Sequence, residues 1–179
     1  MEQYQKAWEG PFFEESKNND YLAIQLYTRM VVGPEELCEV RSEGPIPPEL
    51  ACYPKGTRIM RHYGLEFKPS CVGAAIRYAF NKTKLPIMIT ENGLAGDVDE
   101  ERIEYIVGAL EGVADCIIDG IPVLGYLHWT LIDNFEFNWG TKVQFGLVSM
   151  NKNTFERIPK PSAYFLGDIA RRNELYPVK

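Results

Sequence analysis

The chain has 179 residues, 45% hydrophobic and 25% charged, a composition ordinary for a globular domain long enough to bury a sizeable core. A formal net charge of −6 and an isoelectric point near 5.1 argue against nucleic acid or an anionic membrane surface as partner. No apolar run approaches the roughly 20 residues of a membrane helix, and the N-terminal stretch lacks a secretion-signal pattern, so a cytoplasmic protein is expected.

Tyr4 to Lys17 reads as helix, broken near Gly10-Pro11 and followed by the turn signal Asn18-Asn19. DYLAIQLY (20–27) reads as a strand, its face of Ala23, Gln25 and Tyr27 more polar than that of Leu22, Ile24 and Leu26. The Pro- and Gly-dense stretch 31–57 predicts a long irregular loop. Cys71, Ala74, Ala75 and Tyr78 fall on one stripe of a helix over 70–81. Pro86 then opens a short apolar strand, PIMITE, that ends in a bare carboxylate. By alternation Glu91 shares the face of Ile87 and Ile89, and a carboxylate turned inward there is costly unless it is paired or used.

The longest predicted helix, 99–118, carries Ile103, Ile106, Val107, Leu110, Val113, Ala114 and Ile117 on one stripe. Its acidic start (Asp97, Asp99, Glu100, Glu101) suits a helix N-terminus. A buried strand over 122–129 leads into the polar-aromatic loop IDNFEFNWG. Segments 145–150 and 154–157 are expected to pair as a hairpin, and 163–173 closes the chain as a helix. His128 alternates away from Trp129, which points to packing against a helix. The cysteines (38, 52, 71, 116) are scattered without a C-x-x-C pair and are expected to be reduced. With only His62 and His128 besides, no metal and no cofactor is expected.

Strands alternating with helices predict parallel βαβ units, hence an α/β fold whose ligands gather at the C-terminal strand ends. The groups expected to converge are Gln25 with Tyr27, Glu91 with Asn92, and Trp129 with Asp133, Asn134 and Glu136. Tyr27 has the reach to donate a hydrogen bond to a carboxylate on the neighbouring strand. Plainer roles stay open for each: a structural ion pair for Glu91, core packing for Trp129 and Phe137, a solvated Glu136, an ordinary hydrogen-bonding Gln25.

The stretches ITENG (89–93), GYLHWTLIDNFEFNWG (125–140), FGLVSMN (145–151) and RIPKPSAYFLGDIARRN (157–173) come in one order and spacing. In these the chain closely resembles the C-terminal part of family 1 glycoside hydrolases, the β-glucosidase and β-galactosidase type. DYLAIQLYTR (20–29) looks like that family's sixth barrel strand. The resemblance implies the last part, about strands six to eight, of a (β/α)8 TIM barrel, with 1–179 a single incomplete segment. It implies Glu91 as catalytic nucleophile, Tyr27 as the residue orienting it, and Gln25 at a position usually held by Asn. It implies sugar contacts from Trp129 and Glu136, and a cis peptide between Trp129 and Thr130. Phe137 departs from the family's common Trp, which removes a donor to the sugar.

A retaining glycosidase also needs an acid/base carboxylate, which the family carries in an Asn-Glu-Pro motif after strand four. No Asn-Glu-Pro occurs here. The resemblance therefore implies the nucleophile-bearing segment of an enzyme for β-linked glucosides or related sugars, inactive alone. Three strands leave two open edges, so the expected partners are the N-terminal barrel portion or a second copy. The alternative is a non-catalytic barrel fragment acting in self-association or sugar binding.

Overall fold

A computed structural model describes residues 2–29, 31, 40–41, 52–60, 63–137 and 139–175. Short helices α1 (Glu2–Trp8) and α2 (Gly10–Ser16) meet at the predicted break, where Pro11 suits a helix start. Then come β1 (Leu22–Gln25), the two-residue strands β2 (Val40–Arg41) and β3 (Cys52–Tyr53), α3 (Cys71–Thr83) and β4 (Ile87–Glu91). The chain continues through α4 (Asp99–Ile118), β5 (Val123–Tyr126), β6 (Val148–Met150), β7 (Arg157–Pro159) and α5 (Pro161–Arg172).

β1, β4 and β5 form a parallel sheet in that order, as alternating strands and helices predict. One face is sealed by α3 and α4. Val72, Ile76 and Ala79 of α3 and Ala109, Val113 and Cys116 of α4 pack on Ile87 and Ile89, with Leu22, Ile24 and Leu26 at the margin. The two helices come into near backbone contact: a Cβ on Gly73 would lie 3.0 Å from the Gly112 carbonyl oxygen. The opposite face is open, with Ala23, Gln25 and Leu124 exposed.

The register of β1 on β4 pairs Leu22 with Ile87, Ala23 with Met88 and Ile24 with Ile89, then jumps to pair Gln25 with Glu91. Thr90 is thus an extra residue, and one extra residue reverses the alternation. Glu91 lies on the Gln25 face, opposite Ile87 and Ile89, which corrects the face expected from parity alone.

Three further expectations need correction. The buried stripe of α4 is Arg102, Tyr105, Ile106, Ala109, Val113 and Cys116, while Ile117 is 53% exposed. Two polar-tipped residues displaced aliphatics from the packed face because their heads find partners there, as described below. The hairpin's return strand lies three residues later than expected, because Asn151 Oδ1 accepts from the Asn153 and Thr154 N–H groups (2.9 and 3.2 Å) and holds a turn. Within the predicted irregular stretch 31–57, β2 and β3 form an antiparallel pair; most of that stretch lies outside the described residues, as do His62 and Cys38. Cys71 and Cys116 are free and buried.

Asp99 does more than begin α4. Its Oδ2 accepts from the Ser162 N–H and its Oδ1 from the Ser162 hydroxyl, both at 2.7 Å, which fastens α5 to α4. Arg102, 1% exposed, donates to Asp99 (2.6 Å) and to the carbonyls of Gly96 and Gln144 (2.6 and 3.0 Å). Burial pushes the Asp99 carboxyl up, but the Ser162 and Arg102 donors outweigh it and hold the carboxyl below its ordinary value. Arg29 forks onto the buried Glu66 carboxylate (2.7 and 3.1 Å), tying the chain after β1 to the approach to α3. No helix among the described residues is long and apolar enough to cross a membrane.

Candidate functional site

The three strands deliver their polar ends to one side of the sheet. Glu91 closes β4 and is half-buried, and each carboxylate oxygen has its own donor. Gln25 Nε2 reaches Oε1 at 2.8 Å, and the Tyr27 hydroxyl reaches Oε2 at 2.7 Å. Two directional bonds fix the carboxylate plane while leaving the group partly open to solvent. Burial first, then the bond to Glu91 and the charges of Glu91 and Glu136, raise the Tyr27 phenol far above its ordinary value. Tyr27 stays protonated and stays a donor.

Trp129 and Tyr27 pack on one cluster around Ala95, Val143 and Phe145, joined by Tyr63 and Trp139. After β5 the chain runs beside 145–148: Leu147 N–H bonds the Thr130 carbonyl (3.0 Å) and Asp133 N–H the Val148 carbonyl (2.9 Å). The Trp129–Thr130 peptide is cis. Glu136 sits in a tight loop closed by reciprocal bonds with Gly140 (2.8 and 2.7 Å). Its Oε1 accepts from Asn134 Nδ2 at 2.8 Å and, at the limit of 3.5 Å, from the Trp129 indole. Phe137 is 97% exposed and joins neither group.

The structure thus brings Gln25, Tyr27 and Glu91 together, and links Trp129 to Glu136. Glu136 also acts on Tyr27 and Tyr63, whose phenol is raised by burial and then by that carboxylate. Asn134, expected among the converging residues, does meet Glu136, whereas Tyr63 and Trp139 were not singled out from sequence. Trp139 shares the loop with Glu136, a signal that was available; Tyr63 comes from a distant irregular segment and gave none.

Beneath the carboxylate lies a buried layer. Asn92 is fully enclosed; its Nδ2 donates to the Leu26 carbonyl at 2.6 Å, and its Oδ1 accepts from the Tyr126 hydroxyl at 2.8 Å. Gly93 is required by the close pass of β5's continuation, since a Cβ there would overlap the Trp129 carbonyl oxygen. The His128 Nδ1 lies 3.5 Å from the Tyr126 hydroxyl, and burial together with the Arg102 charge pushes its imidazole down to about 4. Among the described residues no cluster of three or more His, Cys, Asp or Glu could hold a metal.

The family model described as glycosyl hydrolase family 1 matches residues 12–175. A β-galactosidase of Sulfolobus acidocaldarius is 32% identical over 178 residues, covering 92% of this chain and 34% of that protein. A 1,4-β-D-glucan glucohydrolase of Thermotoga neapolitana is 39% identical over 98 residues, covering 50% and 22%. Among solved structures, the hyperthermophilic β-glucosidase of Pyrococcus furiosus superposes with a TM-score of 0.82 at 31% identity, covering 98% of this chain and 38% of its own. The β-glycosidase BGL167 gives 0.81 at 34% identity, covering 99% and 39%. These neighbours are (β/α)8 barrels, and the chain spans about a third of the length of the Sulfolobus relative. The chain belongs to glycosyl hydrolase family 1.

Proposed function

We propose that this chain supplies the nucleophile of a retaining β-glycosidase, as strands six to eight (β1, β4 and β5) of the barrel. The observation that carries the reading is the Glu91 carboxylate at the open end of β4, with a separate donor on each oxygen. In the reaction, a Glu91 oxygen attacks the anomeric carbon of a β-glucoside or related sugar. The glycosidic C–O bond breaks, and a covalent glycosyl-enzyme forms that water then hydrolyses. Tyr27, kept protonated, and Gln25 orient the attacking group. Trp129 offers an apolar plate for the sugar ring, Glu136 accepts from sugar hydroxyls, and the exposed Phe137 ring is free to extend the sugar contact.

The leaving oxygen needs a proton from a second carboxylate. Without an Asn-Glu-Pro motif in this chain, that group belongs to the barrel portion carrying strands one to five. General acid catalysis is typically worth about 10²- to 10⁴-fold, and positioning by the absent walls is lost as well. The chain alone is therefore expected to show no β-glucosidase turnover, even on an activated aryl glucoside. Mixing it with a segment carrying strands one to five should restore turnover, and a 2-fluoro sugar should label Glu91. Labelling at Glu136 instead, or robust hydrolysis by the chain alone, overturns the assignment.

A further inference from the structure

Tyr105 lies on α4, outside the sheet, and is fully buried. Phe67 meets its ring edge-on at 5.4 Å, and Met60 and Leu94 pack around it. A core tyrosine needs one acceptor for its hydroxyl, and any nearby carbonyl would serve. This hydroxyl donates to the Tyr27 carbonyl at 2.6 Å and accepts from Asn92 Nδ2 at 3.3 Å. Tyr27 is the donor to Glu91 Oε2, and Asn92 is the residue after Glu91. The Tyr27 backbone carbonyl and the side chain of the residue after Glu91 therefore converge on a single hydroxyl. Asn92 carries the tie onward to the Leu26 carbonyl and to Tyr126 of β5, so the ends of all three strands are joined through it.

We infer that Tyr105 is a positioning residue for the nucleophile, setting the place of Tyr27, and through it of Glu91, from the helix side of the sheet. This rests on the proposed role of Glu91. Removing the hydroxyl leaves the Tyr27 carbonyl short of its donor, and the Tyr27 phenol then loses its alignment on Glu91. Near-attack geometry is steep enough that sub-ångström drift costs an order of magnitude in rate.

The experiment uses this chain assembled with the strand one-to-five segment. The probe is 2,4-dinitrophenyl 2-deoxy-2-fluoro-β-D-glucoside, whose leaving group departs without a proton, so its labelling rate reads nucleophilic attack. Parent complex that does not label at Glu91 defeats the underlying reading, independently of Tyr105. Given labelling, Tyr105→Phe is expected to slow it about tenfold or more while the probe's dissociation constant stays within about threefold. In a Tyr27→Phe background the same change should slow labelling no further, because Tyr105 acts through Tyr27. Effects that multiply, or an unchanged rate in Tyr105→Phe, overturn the inference. Tyr105→4-aminophenylalanine keeps the ring and a donor and should label within about threefold of parent. A tenfold loss in that variant also overturns it, whether or not Tyr105→Phe assembles.

Discussion

Acid should loosen the β5 end of this fold through His128, and the size of the effect follows from its surroundings. Burial, then the Arg102 guanidinium, and lastly Lys160 push the imidazole from 6.5 down to about 4; the Phe145 carbonyl and Asp99 oppose them without winning. The unfolded chain binds a proton at this site as pH falls below about 6.5, whereas the folded chain resists until about 4. Stability from the neutral imidazole is therefore complete above the unfolded value and is lost as pH drops across that window. At about 1.4 kcal/mol per unit the ceiling is ~3.4 kcal/mol, and partial solvent access brings the expected loss to about 2–3 kcal/mol. Urea midpoints followed by tryptophan fluorescence from pH 7 to pH 4, for parent and His128→Gln, give the number as the difference between the two curves. Asp99, whose carboxyl the Ser162 and Arg102 donors hold below its ordinary value, contributes stability that is lost only below the window. A parent-minus-variant difference constant within about 0.5 kcal/mol, with unchanged urea slopes, would refute the reasoning.

Gly93→Ala should destabilise the chain by about 1–3 kcal/mol in the same urea assay, because its methyl meets the Trp129 carbonyl; an unchanged midpoint contradicts the close pass. Ser162→Ala removes a 2.7 Å hydroxyl donor from Asp99 and should cost about 1–2 kcal/mol. The loss of that donor should also move the onset of acid unfolding below pH 4 to higher pH, as a pH titration by circular dichroism would register. If Phe137 meets the sugar as proposed, Phe137→Trp in the assembled barrel adds an indole N–H donor and should change the ratio of glucoside to galactoside kcat/KM by threefold or more. Equal ratios would mean that Phe137 does not meet the sugar.

Much of the scaffold was legible because each segment declared itself locally. The helix over 99–118 carries its own period and stop signal, and the parallel order of the sheet follows from strands separated by helices. The convergence of Gln25, Tyr27 and Glu91 was legible as well, since all three stand at strand ends. What sequence could not supply was long-range. The rotation of the α4 stripe onto Arg102 and Tyr105 depends on carbonyls 42 and 78 residues away, at Gln144 and Tyr27. A hydrophobic-periodicity argument scores those two as polar interruptions, although their burial is what ties the helix to the site.

The misread face of Glu91 shows why one residue matters so much here. Had alternation run unbroken from Ile87, the carboxylate would point into the helix-covered core, away from the Gln25 and Tyr27 donors and at a desolvation cost of several kcal/mol. The extra residue at Thr90 turns it to the open face instead, where the two donors of β1's end already point. Thr90 does not idle in the bulge, since its hydroxyl bonds the Ile24 carbonyl at 3.3 Å. The apolar pattern and the Glu91 carboxylate thus make opposite demands on one five-residue strand. The irregularity lets Ile87 and Ile89 hold the core while Glu91 faces outward, so the charge is oriented by the Gln25 and Tyr27 donors of this chain itself.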